Sequence, residues 1–488
     1  MNKKFIKVLS VFLLLFATFL GTTSSVFGLP EGFNITIKVK NWGTDTTCLL
    51  AYHYGSQIFV QDTFRINNKG VCQMKGPEAL QGGIYLAVLP GTKYFELLVD
   101  KKEQNFSLEV DTADFVGSMK VSNSPANTLF NQYQRFLTPR QKNLAKLSKE
   151  LAQLDTLKAD SLEKQKVRDK MKVSEDELND YRKKVITEQP TSFLAKIFTT
   201  MQEPEIPAEP KNDKGEPIDK DFRFNYFHQH FLDNVDFSDD RLVKTPLLYN
   251  KINTYLEKLT YRIPDSVIKA CDMLVEKSLA NKEVFKYVLS YLTYTYETSK
   301  IMGYDVVFVH LAEKYYLPGK AFWMDEKKMD KVRERVTKLS PTLIGKKAPE
   351  INAQSVVSGQ MKSLHGVQAD YTVMLFWSHN CGHCKESMPK FIKLYEKFKN
   401  KGVEMFSIET ETKTDEIKKF IEEKKIPFDV VYDPTNATRF RELYDIYSTP
   451  VSLVLDKDKK ILAKRIDVEQ IEKMLDSLIE EKQKGEKK

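Results

Sequence analysis

The sequence predicts a multidomain protein in three parts: an N-terminal all-β sandwich over residues 30–122, a helical middle region over 123–340, and a C-terminal α/β domain over 342–488. Three observations predict it. Short alternating strands separated by turn residues fill the first part. Leucines at three- and four-residue spacing run through the start of the second. In the third, apolar strands alternate with amphipathic helices around a Cys-x-x-Cys. At 488 residues the chain is too long for one compact core.

Residues 1–28 have the form of a secretory signal peptide rather than of folded structure. Lys3, Lys4 and Lys7 precede an apolar run from Val8 to Leu20, and Val26 and Gly28 stand where a signal peptidase wants small residues. The run is short for a membrane span; an uncleaved anchor is the alternative. The expected location is outside the cytoplasm, in the periplasm of a Gram-negative bacterium. Losing the three lysines takes the formal charge from +8 to +5. Spread over the remaining chain, that weak bias does not point to nucleic acid.

Export places the five cysteines, Cys48, Cys72, Cys271, Cys381 and Cys384, in an oxidising compartment. Cys271 falls in a helical stretch and reads as a buried core thiol. Cys48 and Cys72 both fall in the β region. Whether they are bridged stays open, because sequence does not give their separation.

In the β region, Ile35, Ile37 and Val39 alternate with polar residues. Further strands are expected at 47–53, 57–64, 70–74, 84–89, 94–99 and 106–110, with turns such as Asn67-Asn68-Lys69-Gly70 and Pro90-Gly91 between them. His53 reads as a structural histidine. Beyond Pro125, Leu144, Leu147, Leu151, Leu154 and Leu157 mark a helix, and Ser174-Glu175-Asp176-Glu177 has capping-box form for a second one ending near Pro190. Residues 204–217 read as a loop, and helical patterns resume at 249–259, 266–279, 283–300 and 306–316. His228 and His230 form a His-x-His pair with Asp233 nearby, but no clear third metal ligand accompanies them. The aromatic cluster Phe222–Phe231 is expected to dock that loop onto the helices.

In the last part, strand 373–377 runs into the dithiol, and a helix is expected over 381–399. Strand 403–408, helix 413–424, a helix around 437–444, strands 451–455 and 461–464 and helix 468–481 follow. A β-α-β opening implies parallel strands joined by a right-handed crossover. The closing strands imply an antiparallel hairpin.

The chemistry sits in Cys381-Gly382-His383-Cys384. A thiolate is the nucleophile of disulfide exchange, and a helix N-terminus stabilises it. Cys381 is placed to attack a substrate disulfide, and Cys384, one turn on, to resolve the mixed disulfide. Gly382 allows close backbone approach. His383 can place positive charge near the Cys381 sulfur, which favours the reduced pair and makes the disulfide more oxidising. That leans the pair toward the less reducing end of a scale from about −270 mV to about −180 mV. The exchange needs no cofactor.

These residues resemble the thioredoxin superfamily, and within it the secreted TlpA/ResA type. The resemblance covers about 342–484 and rests on Phe376-Trp377, Cys381-Gly382-His383-Cys384, Pro389 in the active-site helix and Ser448-Thr449-Pro450-Val451 before a strand. It implies a thioredoxin fold, a cis Thr449–Pro450 bond, and Trp377, Thr449 and Pro450 beside the substrate, with the Thr449 backbone pairing an extended chain. The three-part layout also resembles exported thioredoxin-like proteins of the Bacteroidetes. There are departures. Asn380 replaces a common tryptophan, Leu375 stands where thioredoxin has a buried acid, and Ser387 stands where the TlpA/ResA branch often has glutamate. Glu386 is adjacent but faces elsewhere on the helix, which leaves Glu409 on the next strand as the candidate proton-transfer group.

The function expected is an exported thiol–disulfide oxidoreductase that reduces, forms or isomerises disulfides in exported proteins. An electron donor or acceptor, membrane-bound in one version, completes the cycle. Two other readings compete. His379, Cys381, His383 and Cys384 offer four soft ligands for copper(I) or zinc. Alternatively, the front regions bind a partner and the dithiol is secondary. Sequons at Asn34, Asn105 and Asn436 would suit a eukaryotic secretory isomerase, but the Lys487-Lys488 tail is no lumenal retention signal.

Overall fold

The computed structural model describes residues 32–91 and 93–485. The expected signal peptide lies outside them. Among the described residues no helix is long and apolar enough to cross a membrane. They pack as two compact units, residues up to 51 with 60–171, and residues 52–59 with 172 onward.

The front unit is built on β1 (Phe33–Lys40), β2 (Thr46–Tyr54), β3 (Gln57–Ile66), β4 (Val71–Gly76), β5 (Gly83–Leu89), β6 (Lys93–Val99), β7 (Asn105–Asp111) and β8 (Lys120–Ser122). Hydrogen bonds join all eight into one sheet, ordered β6-β5-β2-β3-β4-β1-β7-β8. β1 is antiparallel to β4 on one side and parallel to β7 on the other. Its inward residues Ile35, Ile37 and Val39 are buried, as the alternation predicts. Cys48 and Cys72 are fully buried in this unit as free thiols. Helix α1 (Phe115–Ser118) precedes β8, and the long helix α2 (Pro125–Thr156) follows it. Ser124 caps α2 by accepting the Asn127 N–H, and the Asn127 side chain bonds both the N–H and the carbonyl of Leu98 on β6. Those buried bonds tie α2 to the sheet, so the compact front unit extends past residue 122.

Helix α3 (Ser161–Glu188) runs straight through the Ser174-Glu175-Asp176-Glu177 stretch, so no helix starts there. The capping-box pattern is overridden because Ser174 is buried in the middle of a continuous helix. α4 (Phe193–Met201), α5 (Phe222–His230), α6 (Pro246–Thr254), α7 (Pro264–Ser278), α8 (Lys282–Glu297), α9 (Asp305–Leu311) and α10 (Glu326–Leu339) complete the middle region. The aromatic cluster is helical, forming α5. On it, His228 stacks on Tyr255 at 5.0 Å and His230 Nδ1 lies 2.6 Å from Asp233. The pair is thereby used in packing and a surface hydrogen bond. Cys271 is buried, as a core thiol should be.

The C-terminal domain holds β9 (Asn352–Ser355), β10 (Met361–Ser363), β11 (Tyr371–Trp377), β12 (Val403–Glu409), β13 (Val430–Tyr432), β14 (Val451–Asp456) and β15 (Ile461–Lys464). Their order is β10-β9-β13-β12-β11-β14-β15. β11 is parallel to β12 and antiparallel to β14, and β14 pairs antiparallel with β15. Helices α11 (Gly382–Phe398), α12 (Thr414–Lys424), α13 (Phe440–Leu443) and α14 (Val468–Gly485) cover the sheet. Alternate residues of β11 feed two cores. Val373, Leu375 and Trp377 join Cys384, Met388, Phe391 and Leu394 on one face. Met374 and Phe376 join Phe440 and Tyr444 on the other. Each such fully buried large side chain is worth about 1.5–3 kcal/mol. This two-sided burial makes β11 rigid, and β11 aims the dithiol.

Candidate active site

β11 ends at Trp377, and three residues carry the chain off the end of this central strand to Cys381. Cys381 is the N-cap of α11, with extended backbone (φ −82°, ψ 123°). Its sulfur accepts the Cys384 N–H at 3.4 Å. Cys381 is half-buried, whereas Cys384 lies inside the core at 1% exposure. The Thr449–Pro450 bond is cis. The Thr449 carbonyl accepts a hydrogen bond from the Cys381 thiol at 3.2 Å.

The two thiols are driven apart in acidity. Burial opposes ionisation of Cys381, but hydrogen bonds with the Cys384 thiol, Thr449 and the backbone of Cys384 and His383 outweigh it, and its pKa falls below the ordinary thiol value. Cys384 is pushed up to about 11, by burial first and by its bond to Cys381 second. An ionisable half-exposed sulfur therefore stands beside a protonated buried one. That is the arrangement a nucleophile and its resolving partner require.

The tuning residues look different in place. A Cβ on Gly382 would meet open space, so its lack of a side chain leaves room for an approaching chain. The His383 imidazole is 87% exposed, 3.8 Å from Glu386, while its backbone reaches the Cys381 sulfur. Trp377 is fully buried and donates its indole N–H to Ser407 Oγ at 2.8 Å. Its expected place beside the substrate is therefore corrected: the pleat of β11 turns that ring into the core with Leu375 and Cys384. Ser387 bonds the Cys384 carbonyl at 3.3 Å.

A pair of buried polar groups lies behind the dithiol loop. Glu409, at the end of β12 and opposite Trp377, is fully buried. It accepts the His379 N–H at 3.0 Å and the Glu411 N–H at 3.1 Å. Burial raises its carboxyl to about 7, against those N–H groups and the adjacent imidazole. His379 Nε2 meets Glu416 at 3.2 Å. Its Nδ1 sits 3.5 Å from Glu409, at ion-pair rather than hydrogen-bond distance. Sequence marks Glu409 as a candidate acid but gives no sign that His379 joins it. With His379 engaged there and His383 in solvent, the four soft ligands do not converge. Among the described residues no group of three His, Cys, Asp or Glu is arranged to hold a metal.

Family models match all three parts of the chain. The AhpC/TSA family model matches residues 344–464. Two domains of unknown function, DUF5106 and DUF4369, match 161–340 and 33–130. A thiol–disulfide oxidoreductase ResA of Bacillus cereus is 28% identical over 137 residues, which cover 28% of this chain and 77% of the relative. A solved domain of a possible thiol–disulfide isomerase from Cytophaga hutchinsonii is 40% identical, over 30% of this chain and 99% of that one, with a TM-score of 0.28. A thioredoxin-like protein from Bacteroides caccae is 20% identical, over 56% of this chain and 98% of its own, with a TM-score of 0.43.

Proposed function

Residues 344–464 form a thioredoxin-like domain of the AhpC/TSA family, and from that premise we infer that the chain is an exported thiol–disulfide oxidoreductase acting through Cys381 and Cys384. The observation that carries this reading is the division of labour between the thiols. Cys381 is accessible and acidified at a helix N-terminus, and Cys384 is buried and held protonated.

The cycle balances without a cofactor. The Cys381 thiolate attacks one sulfur of a substrate disulfide, forming a mixed disulfide and releasing a substrate thiolate that takes up a proton. Cys384 then loses its proton and attacks Cys381 Sγ, releasing the second substrate thiol. Two electrons and two protons pass to the substrate, and the enzyme keeps the Cys381–Cys384 disulfide. A partner dithiol returns it to the reduced form. Run in reverse, the oxidised pair forms a disulfide in a protein dithiol. Thr449 and Pro450 hold an extended substrate chain beside Cys381, and the open face at Gly382 leaves it room. His383, with its imidazole in solvent, adds only a small bias to the potential. Glu409 serves as the acid nearest the loop, held by the His379 N–H.

Residues 1–28 direct the chain out of the cytoplasm, and the periplasm supplies the protein thiols and disulfides it acts on. The test is a Cys384→Ala variant expressed in a Gram-negative host. It should accumulate mixed disulfides between Cys381 and exported proteins. A variant that traps nothing, while the wild type also fails to reduce insulin, defeats the reading.

A further inference from the structure

Helix α10 reaches from the middle region to the loop that carries Thr449. Asp445 lies four residues before Thr449. It takes the left-handed backbone conformation (φ +54°), which non-glycine residues adopt only when their surroundings hold them there. Its carboxylate is 4% exposed. Arg335 Nη1 of α10 donates to both carboxylate oxygens, at 3.1 and 3.0 Å. Arg465 of the redox domain donates to one of those oxygens at 3.1 Å and to the Asp445 carbonyl at 2.7 Å. One turn beyond Arg335, Lys338 donates to the Tyr447 hydroxyl at 2.7 Å. Beside Arg465, Lys464 pairs with Asp305 of α9 and bonds the Thr342 carbonyl at 2.7 Å.

We propose that α10 is a positioning element for the redox site: Arg335, seconded by Lys338, fixes the 445–450 loop so that the Thr449 backbone is preset to receive substrate beside Cys381. This rests on the oxidoreductase reading above. A buried carboxylate holds its geometry only while its cations hold theirs. Without Arg335, Asp445 keeps Arg465 alone, and only the Lys338–Tyr447 bond still ties the loop to α10. The middle region thereby acts on chemistry that it does not touch. Arg335 and Asp445 also line a cleft of about 360 Å³ with Glu297, Lys300 and Met302, so truncating Arg335 enlarges an existing space rather than opening a hole in packed core.

The experiment uses the full mature chain and two probes, a fluorescence-quenched disulfide peptide and the small aromatic disulfide dithiobis(nitrobenzoate). Arg335→Ala is expected to raise KM for the peptide about fivefold or more while kcat and the rate with the small disulfide stay within about twofold. Arg335→Lys should recover most of the loss, since one nitrogen makes both contacts. Arg333→Ala, whose partners Glu326 and Asp330 lie on the same helix, should change nothing. In hydrogen exchange, the 445–451 amides should exchange faster in Arg335→Ala and those of 384–398 should not. An unchanged peptide KM in a folded Arg335→Ala protein overturns the proposal. Should that variant not fold, Lys338→Met must show a smaller KM rise of the same sign, and its absence overturns the proposal equally. A wild type that reduces neither probe would instead defeat the functional reading.

Discussion

The chain holds two thiol pairs, one in each compact unit, and they differ in a telling way. In both, one sulfur hydrogen-bonds the other and the pair splits in acidity. The bond to Cys72 and then burial push Cys48 up, and the same bond lowers Cys72. Cys381 is likewise lowered and Cys384 raised. Thiol acidity alone therefore does not mark the functional pair. Cys48 and Cys72 are both fully buried among strands, with no helix end and no route to a substrate. Cys381 caps a helix, is half-exposed, and touches the backbone of the loop that leads into β14. On the proposed reading, access and the helix N-terminus are what would make Cys381–Cys384 the reactive pair and leave Cys48 and Cys72 structural.

The comparison can be broken first by mutation. Cys381→Ser should lower disulfide reduction by about a hundredfold or more, whereas Cys48→Ala should leave the rate per folded molecule within about twofold; equal losses, read by insulin turbidity, would erase the distinction. A second, smaller effect concerns the acid behind the dithiol. Glu409 is raised to about 7 when folded, from an ordinary 4.5. Between those values the folded state holds a proton that the unfolded state has lost, so stability falls as pH rises through that window, by a few kcal/mol at most. Urea midpoints from pH 4.5 to 7.5 should show that slope, and Glu409→Gln should flatten it; a slope unchanged by the substitution would remove Glu409 from the account. The smallest effect belongs to His383. An exposed imidazole beside Glu386 is worth under about 1 kcal/mol, so His383→Ala should move the potential of the pair by no more than about 20 mV in a glutathione titration.

How much of this is legible in the sequence follows from how local each signal is. The strand, the dithiol, its helix and Pro450 lie in short contiguous patterns, and the α/β order follows from them. Trp377 is misplaced by sequence because β11 is buried on both faces, so alternation does not reveal which side faces the site. α10 carries a helical period, but as a single narrow stripe of Met329, Val336 and Leu339 in a run of charged residues. α4 is only nine residues long, so its apolar stripe is too short to stand out beside the turn at Pro190. The contact of Arg335 with Asp445 spans 110 residues, and the pairing of His379 with Glu409 crosses strands. Only the fold brings such residues together.

The central claim is tested most directly by limited alkylation of the fully reduced native protein with iodoacetamide across pH 5–10, the labelled cysteine being located by mass spectrometry. The account predicts that Cys381 reacts first, with an inflection below the ordinary thiol value, while Cys384, Cys48 and Cys72 stay unlabelled until the protein unfolds. Labelling of Cys384, or of Cys48 and Cys72, at a rate equal to that of Cys381 would contradict it.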